Sequence, residues 1–204
     1  MIIVKKENLV KRSEDMHPYQ MLVYLAMGSS GLIFIFLTLP FILSVLSAGP
    51  VHLTKLPVFF WISTVVLLAG SMSAHWLINI LRHGKLPELQ QVLYILLGTC
   101  VLFVTFQFCG WCELGMEGIY RSGLPTSSYL YLLTGIHVLH ILGLMLFLSK
   151  LIVDVHQVRK DPIKELIFET NPYVIMKFRL FKHILLFVDI VWIVFFLLFM
   201  LAFG

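Results

Sequence analysis

Two histidines lie one helical turn apart in the middle of a long apolar stretch, Tyr131–Gly143. His137 and His140 are three residues apart, so a helix would place both on one face. An ionisable side chain inside hydrocarbon costs about 2.5 kcal/mol or more, and it usually faces protein or a water-filled cavity. Thr134 and Gly135, one turn earlier, are small enough to let another helix approach closely. The stretch therefore predicts the inward face of a membrane helix.

Composition places the chain among integral membrane proteins. Its 204 residues are 59% hydrophobic and 13% charged, whereas a soluble domain carries about 25% charged residues. The apolar residues form blocks long enough to cross a bilayer. The net charge of +4 does not indicate nucleic-acid binding, because the basic residues flank the apolar blocks, where the positive-inside rule accounts for them.

Five apolar blocks predict an all-α bundle of five transmembrane helices. A polar lead-in, 1–18, precedes one transmembrane domain, 19–204, with spans at about 19–47, 58–81, 90–112, 127–149 and 183–203. The connection between the last two spans is predicted to hold a short surface helix around Pro162–Phe168. The side with the N-terminus carries 13 of the 15 Lys and Arg residues, and the opposite side carries only Lys55 and Arg121. We therefore expect a cytoplasmic N-terminus and an external C-terminus.

Few ionisable side chains fall inside the predicted spans. Asp189 and His140 lie at similar depths on antiparallel spans, so they could pair and spare each other an unsatisfied partner. Such a pair would be either a piece of a proton path or a buried contact that fixes helix register. The sequence contains no nucleophile–base set, phosphate-binding glycine loop or paired catalytic carboxylates, so we expect no active site in this chain.

Ligation of a haem or another metal is not expected either. A bis-histidine haem takes imidazoles from facing helices, whereas His137 and His140 share one helix face. His75 and His183 lie near the predicted cytoplasmic surface, and no Cys or carboxylate set converges on any of them. Discontinuous helices or an internal repeat, which are typical of transporters, are not apparent. A haem-bearing membrane cytochrome and a small transporter are therefore the more distant alternatives.

Four segments resemble conserved motifs of subunit III of haem–copper terminal oxidases, the cytochrome c oxidase subunit III family. TGIHVLH at 134–140 resembles its TG-H-x-x-H signature, and FVDIVW at 187–192 resembles the FVDVVW of its last helix. STVVLLAGSMSAHW at 63–76 resembles its second conserved helix, and TFQFCGWCELGMEGIY at 105–120 is similar to its Gln-x-x-Glu region. The resemblance covers residues 20–204 and fits the family's five-helix form.

The resemblance implies a non-redox accessory subunit of a respiratory oxidase in the bacterial inner membrane. Such a subunit stabilises the catalytic subunit I, binds phospholipid in a cleft and supports proton uptake during oxygen reduction coupled to proton pumping. Haem and copper are expected in the partner subunits, and a larger respiratory supercomplex is a further expected partner. Subunit III of a quinol oxidase and the related accessory protein of nitric oxide reductase share these motifs and stay open as alternatives.

The resemblance also assigns roles to individual residues. His137, His140 and Asp189 match the family motifs one by one, and with Thr134 they form the expected structural polar core. The candidates for a proton path or an interface are His75, Gln107, Glu113 and His183. Independently of the resemblance, Arg82 and His83 at the predicted cytoplasmic interface are either candidates for lipid headgroup contact, which needs only a basic residue at the right depth, or ordinary positive-inside flanking charges.

Two positions depart from the family pattern. Gly110 stands where the family has Glu, so a buried carboxylate is missing. Leu186 stands where the family usually has His, although His183 lies one turn earlier and is a candidate substitute.

Overall fold

The computed structural model describes residues 17–48, 56–116 and 125–203, and these residues form an all-α structure. The helices in chain order are α1 (Pro18–Ala48), α2 (Val58–Ala74), α3 (Leu77–Arg82), α4 (Leu86–Met116), α5 (Pro125–Val158), α6 (Pro162–Thr170) and α7 (Pro172–Phe203). Within the described residues, five segments are long and apolar enough to cross a membrane: α1, α2 with α3, α4, α5 and α7. The predicted helical class and multi-pass character are confirmed. The lead-in up to residue 16 and the two basic residues Lys55 and Arg121 lie outside the described residues.

The helices extend beyond the predicted apolar segments. α7 begins at Pro172, eleven residues before the predicted start of the last span at 183. Its first turn is capped by Asn171, whose side-chain oxygen accepts a hydrogen bond of 2.9 Å from the amide of Tyr173, and proline is favoured at the first helical position. A 32-residue helix is about 48 Å long, whereas the hydrocarbon core is about 30 Å thick. The apolar run therefore marks only the part of a helix that is suited to the hydrocarbon core, and the helix itself continues beyond it.

The polar connection contains the short helix that the sequence predicts. α6 covers Pro162–Thr170, and the side chain of Asp161 caps it by accepting a 3.0 Å hydrogen bond from the amide of Ile163. The second span, predicted at about 58–81, is a single candidate span over Val58–Arg82, and its helix is interrupted at His75 and Trp76, between α2 and α3.

The five long segments form a ring, and two of its members, α5 and α7, also contact each other across the middle. Going round the ring, α1 packs on α5, α5 on α4, α4 on α2, α2 on α7, and α7 on α1. The interior is filled by large side chains that are fully buried, among them Phe103, Trp192 and Phe199. The outer face of α1 exposes Phe36 and Leu46, as expected for a surface in contact with lipid tails.

Charge is distributed unequally between the two ends of the bundle. Every Lys and Arg of the described ranges, nine residues in all, lies at the end where α1 and α7 begin and α5 terminates. We call this the basic end; its cations are Arg82, Lys85, Lys150, Arg159, Lys160, Lys164, Lys177, Arg179 and Lys182. The uneven distribution of Lys and Arg along the sequence therefore places the described cations at one end of the bundle.

One glycine permits the close contact between α2 and α4. A Cβ atom added at Gly70 would lie 2.6 Å from the hydroxyl oxygen of Thr99 and 3.0 Å from its Cβ. No heavy atom lies within 4 Å of a Cβ added at Gly98 on α4. Helices in membranes associate through close packing at small residues, so the α2–α4 contact depends on Gly70 and not on Gly98.

Gly70→Ala is expected to destabilise the bundle by about 1–3 kcal/mol, because the added methyl group forces α2 and α4 apart. The matched variant Gly98→Ala should lack this loss and is expected to raise stability by up to about 1 kcal/mol, because alanine favours a helix more than glycine does. Unfolding of the purified protein, titrated with a denaturing detergent, measures both. Thr99→Ala should restore part of the loss in the Gly70→Ala background, and equal stabilities for the two glycine variants would contradict this account.

Candidate functional site

The candidate site is a set of buried polar side chains from four helices in the middle of the bundle. α5 contributes Thr134 and His137, which are both fully buried, and α7 contributes Asp189, which is 4% exposed. α4 contributes Gln107, which is fully buried as well. We define the polar core as these four residues, the side chains that hydrogen-bond to them, and the hydrogen-bonded pair Trp192 and Thr64.

His137 connects α5 to α7. Its Nε2 donates a 3.1 Å hydrogen bond to the backbone oxygen of Val188. Its ring lies among aromatic side chains, with centroids 5.0 Å from Trp192 and 5.4 Å from Phe103. Nδ1 is buried and has no hydrogen-bond partner in the described residues. With Nε2 as the donor, Nδ1 is an acceptor that a water molecule or another donor must satisfy.

Asp189 connects α7 to α2. Its Oδ2 accepts a hydrogen bond from the hydroxyl group of Ser71, and its Oδ1 is buried without a partner in the described residues. Three positions further along α7, the indole nitrogen of Trp192 donates a 2.9 Å hydrogen bond to the hydroxyl oxygen of Thr64 on α2. The two contacts attach one face of α7 to α2 at adjacent turns.

The predicted pair between Asp189 and His140 is wrong. His140 is bonded instead to Ser30 of α1, with 2.6 Å between Nε2 and the hydroxyl oxygen, and its Nδ1 donates to the backbone oxygen of Ile136 at 2.8 Å. A separation of three residues leaves two side chains about 60° apart around a helix. His137 therefore faces α7 while His140 faces α1, so the two histidines of α5 contact two different helices.

Two further contacts tie α4 into the polar core. The side-chain amide of Gln107 donates a 3.0 Å hydrogen bond to the hydroxyl oxygen of Ser63 on α2. The indole nitrogen of Trp111 donates a 3.0 Å hydrogen bond to the hydroxyl oxygen of Thr134 on α5. The sequence analysis did not name Ser63 or Trp111 as candidate residues. For Ser63, the available signal is that polar and small residues interrupt the apolar sequence of α2.

The other predicted residues are dispersed along the bundle. Glu113, at the end opposite the basic end, accepts a 3.4 Å hydrogen bond from the amide of Val58 through Oε1, and its Oε2 is buried without a partner in the described residues. His183 lies near the basic end, with its Nδ1 3.0 Å from the hydroxyl oxygen of Tyr24. The side chains of His75, Arg82 and His83 are exposed at the basic end.

The structure leaves no room for a larger side chain at Gly110. A Cβ atom at this position would lie 2.7 Å from Cε1 of Phe60, whose ring occupies the space beside α4. Phe60 is fully buried, so a glutamate side chain could enter only by displacing this ring. Leu186 is 39% exposed at the surface of the bundle.

The chemistry available to the polar core is hydrogen bonding between helices. No group of three or more His, Cys, Asp or Glu side chains among the described residues is placed to hold a metal ion. Four buried polar atoms lack a partner within the same residues: Gln107 Oε1, Glu113 Oε2, His137 Nδ1 and Asp189 Oδ1. Buried atoms of this kind are usually satisfied by ordered water or by a partner. The site therefore links neighbouring helices and contains three polar atoms, on Gln107, His137 and Asp189, that can accept a hydrogen bond from water.

Comparison of the sequence with models of protein families finds no match, and comparison with curated proteins finds none either.

Ser71→Ala removes the side-chain donor to Asp189 and should destabilise the bundle by about 1–2 kcal/mol, because the carboxyl group stays buried with one partner fewer. Ser73→Ala is the matched control, since among the described residues the Ser73 hydroxyl bonds only to the backbone oxygen of Gly70 in its own helix. Denaturing-detergent titration of both variants measures the difference. A Ser71→Ala protein as stable as the control would show that this hydrogen bond contributes nothing.

Proposed function

We propose that this chain is a non-redox accessory subunit, the five-helix form of subunit III of a respiratory haem–copper oxidase. The observation that supports the proposal is the convergence of the motif residues. Ser71, His137 and Asp189 come from three segments that resemble separate motifs of this family, and they lie in one buried polar core that joins α2, α5 and α7. Motif segments that are far apart in sequence therefore meet at one place in the bundle.

An accessory role agrees with the chemistry of the described residues. Several of their interior side chains form hydrogen bonds between helices, such as Trp192 with Thr64 and Gln107 with Ser63. Under the proposal, haem and copper belong to the catalytic subunit I, and this chain stabilises that subunit, binds phospholipid and supports proton uptake. Arg82 and His83 are the proposed headgroup contacts.

The proposal includes an orientation. The basic end carries every described Lys and Arg, and cationic loops are retained on the cytoplasmic side of the bacterial inner membrane. The N-terminus is therefore proposed to be cytoplasmic and the C-terminus external. In this orientation the basic end would lie at the cytoplasmic entrance for protons, and Glu113 would lie towards the outer surface.

Purification of the tagged chain from its native membrane in a mild detergent tests the proposal. A haem-containing, copper-binding catalytic subunit should be recovered with it, as detected by an optical spectrum and mass spectrometry. The accompanying subunits then distinguish a cytochrome c oxidase from a quinol oxidase or a nitric oxide reductase. Recovery of the chain alone and without colour would contradict the proposal, and a haem spectrum from the isolated chain would favour an electron-carrying cytochrome.

Asp189→Asn should lower the yield of assembled complex, or shorten its lifetime during turnover, by roughly threefold or more. The initial rate of electron transfer should change by less than about twofold. The reason is that removing the ability to ionise alters the polar core without touching a redox centre, and a loss of about 0.7 kcal/mol corresponds to a threefold change. Spectroscopic yield and oxygen-electrode traces measure the two quantities.

Asp154→Asn serves as the control for this variant, because Asp154 lies at the basic end within 3.7 Å of Lys177 and outside the polar core. It should leave both yield and lifetime unchanged. A fully assembled Asp189→Asn complex that lost electron transfer from the first turnover would contradict a structural role for Asp189.

A further inference from the structure

Three sulfur-containing side chains lie on the outward face of α4 near its C-terminal end, which is opposite the basic end. Cys112 is exposed, Cys109 is partly exposed and Met116 is 83% exposed. In an α-helix Cys109 and Met116 are about 20° apart around the axis, and Cys112 is about 60° from Cys109. The buried residues on the opposite face of this stretch are Gln107, Gly110 and Leu114. We call the three outward sulfur-containing side chains the sulfur face.

The sulfur face lies at the edge of the predicted hydrocarbon region. The apolar run that predicts this span ends at 112, whereas α4 continues to Met116, so an ion can approach the sulfur atoms from the aqueous side. Glu113 follows Cys112 directly, and its Oε2 is buried without a partner in the described residues. An unpaired carboxylate oxygen beside two thiols makes this position attractive to a cation.

The spacing of the sulfur face suits a single ion. Residues three or four apart on a helix have Cβ atoms about 5–6 Å apart, and a metal–thiolate bond is about 2.3 Å long. The Sγ atoms of Cys109 and Cys112 can therefore bind opposite sides of one ion without distorting α4. Helical side chains lean towards the N-terminus, so the thioether of Met116 leans over Cys112, four residues earlier.

The ligand types favour Cu(I) over the other ions that cysteines commonly bind. Thiolates and thioethers are soft ligands that suit Cu(I), whereas a structural Zn²⁺ site takes four nitrogen or sulfur ligands and an iron–sulfur cluster takes four cysteines. This chain has three cysteines, and the third, Cys100, is buried in the interior. Cu(I) is stable with few ligands, so the sulfur face is sufficient for it.

We propose that the sulfur face binds one Cu(I) ion through the Sγ atoms of Cys109 and Cys112, with the Sδ atom of Met116 as the third ligand. Binding displaces the thiol protons into solvent and changes no oxidation state. The site shares no residue with the polar core, and its ion is distinct from the copper expected in subunit I. The site would stand if the oxidase assignment failed, because its test uses the full-length chain without partner subunits.

The test compares forms of the full-length chain that are purified in a neutral detergent, without oxygen and with all thiols reduced. The variants are Cys109→Ser/Cys112→Ser and Met116→Leu. The matched controls are Cys100→Ala, at a buried position of the same helix, and Met72→Leu, at an exposed methionine of α2. Competition with the chromophoric chelator bicinchoninate measures the affinity for Cu(I), and a parallel titration measures the affinity for Zn²⁺.

Wild type and both controls should bind one Cu(I) ion per chain, more tightly than Zn²⁺. The affinity should fall roughly a hundredfold or more in the double cysteine variant, which loses both thiolates. Met116→Leu should lower it by roughly tenfold, as expected when a supporting group is removed. Wild type that binds no Cu(I), a preference for Zn²⁺, or equal affinities in wild type and the double variant would overturn the proposal.

A second measurement needs no substitution and does not depend on the folding of a variant. Wild type is treated with N-ethylmaleimide with and without Cu(I), and the labelled cysteines are identified by mass spectrometry. Cu(I) should slow the labelling of Cys109 and Cys112 and leave that of Cys100 unchanged. Labelling of Cys112 at the same rate with and without Cu(I) would contradict the site.

Discussion

The bundle depends on the requirement that polar groups inside hydrocarbon find partners within the protein. Each pair of long segments that packs together in the described structure is linked by a side-chain hydrogen bond. The links are Ser30–His140 between α1 and α5, Trp111–Thr134 between α4 and α5, Ser63–Gln107 between α2 and α4, Ser71–Asp189 and Thr64–Trp192 between α2 and α7, His137–Val188 between α5 and α7, and Tyr24–His183 between α1 and α7. Lipid tails are as apolar as leucine, so burial of apolar side chains does not by itself tell one helix face from another. The hydrogen bonds make this distinction, because each needs its partner at one position on the facing helix.

This constraint explains why polar residues recur in otherwise apolar spans. A hydrogen bond between membrane helices contributes only about 0.6 kcal/mol on average, so the links are weak as sources of stability. A wrong register, however, would leave Asp189 or Gln107 without its present partner, and an unpartnered buried polar group costs about 1–3 kcal/mol. The links therefore act mainly by excluding alternative packings, while close contacts such as Gly70 on Thr99 provide the attraction.

The sequence predicts those features that follow from hydropathy and charge. Five long apolar segments, the helical class and the concentration of basic residues at one end can all be read from composition along the chain, and so can the short helix capped by Asp161. The partners of the buried polar groups cannot be read in this way. Asp189 and His140 have compatible depths, but depth leaves rotation undetermined, and a 60° difference around α5 directs His140 to α1. The start of α7 at Pro172 was missed because charged residues end an apolar run without ending a helix.

The continuity of α7 connects the two regions in which polar groups gather. Asp189 and Arg179 lie ten residues apart on one uninterrupted helix, about 15 Å along its axis. The bonds of Asp189 to Ser71 and of Trp192 to Thr64 fix the rotation and depth of α7 against α2, and α2 is followed by α3, which ends at Arg82. The contacts that satisfy buried polar groups in the membrane therefore also contribute to the positions of Arg82 and Arg179 at the basic end.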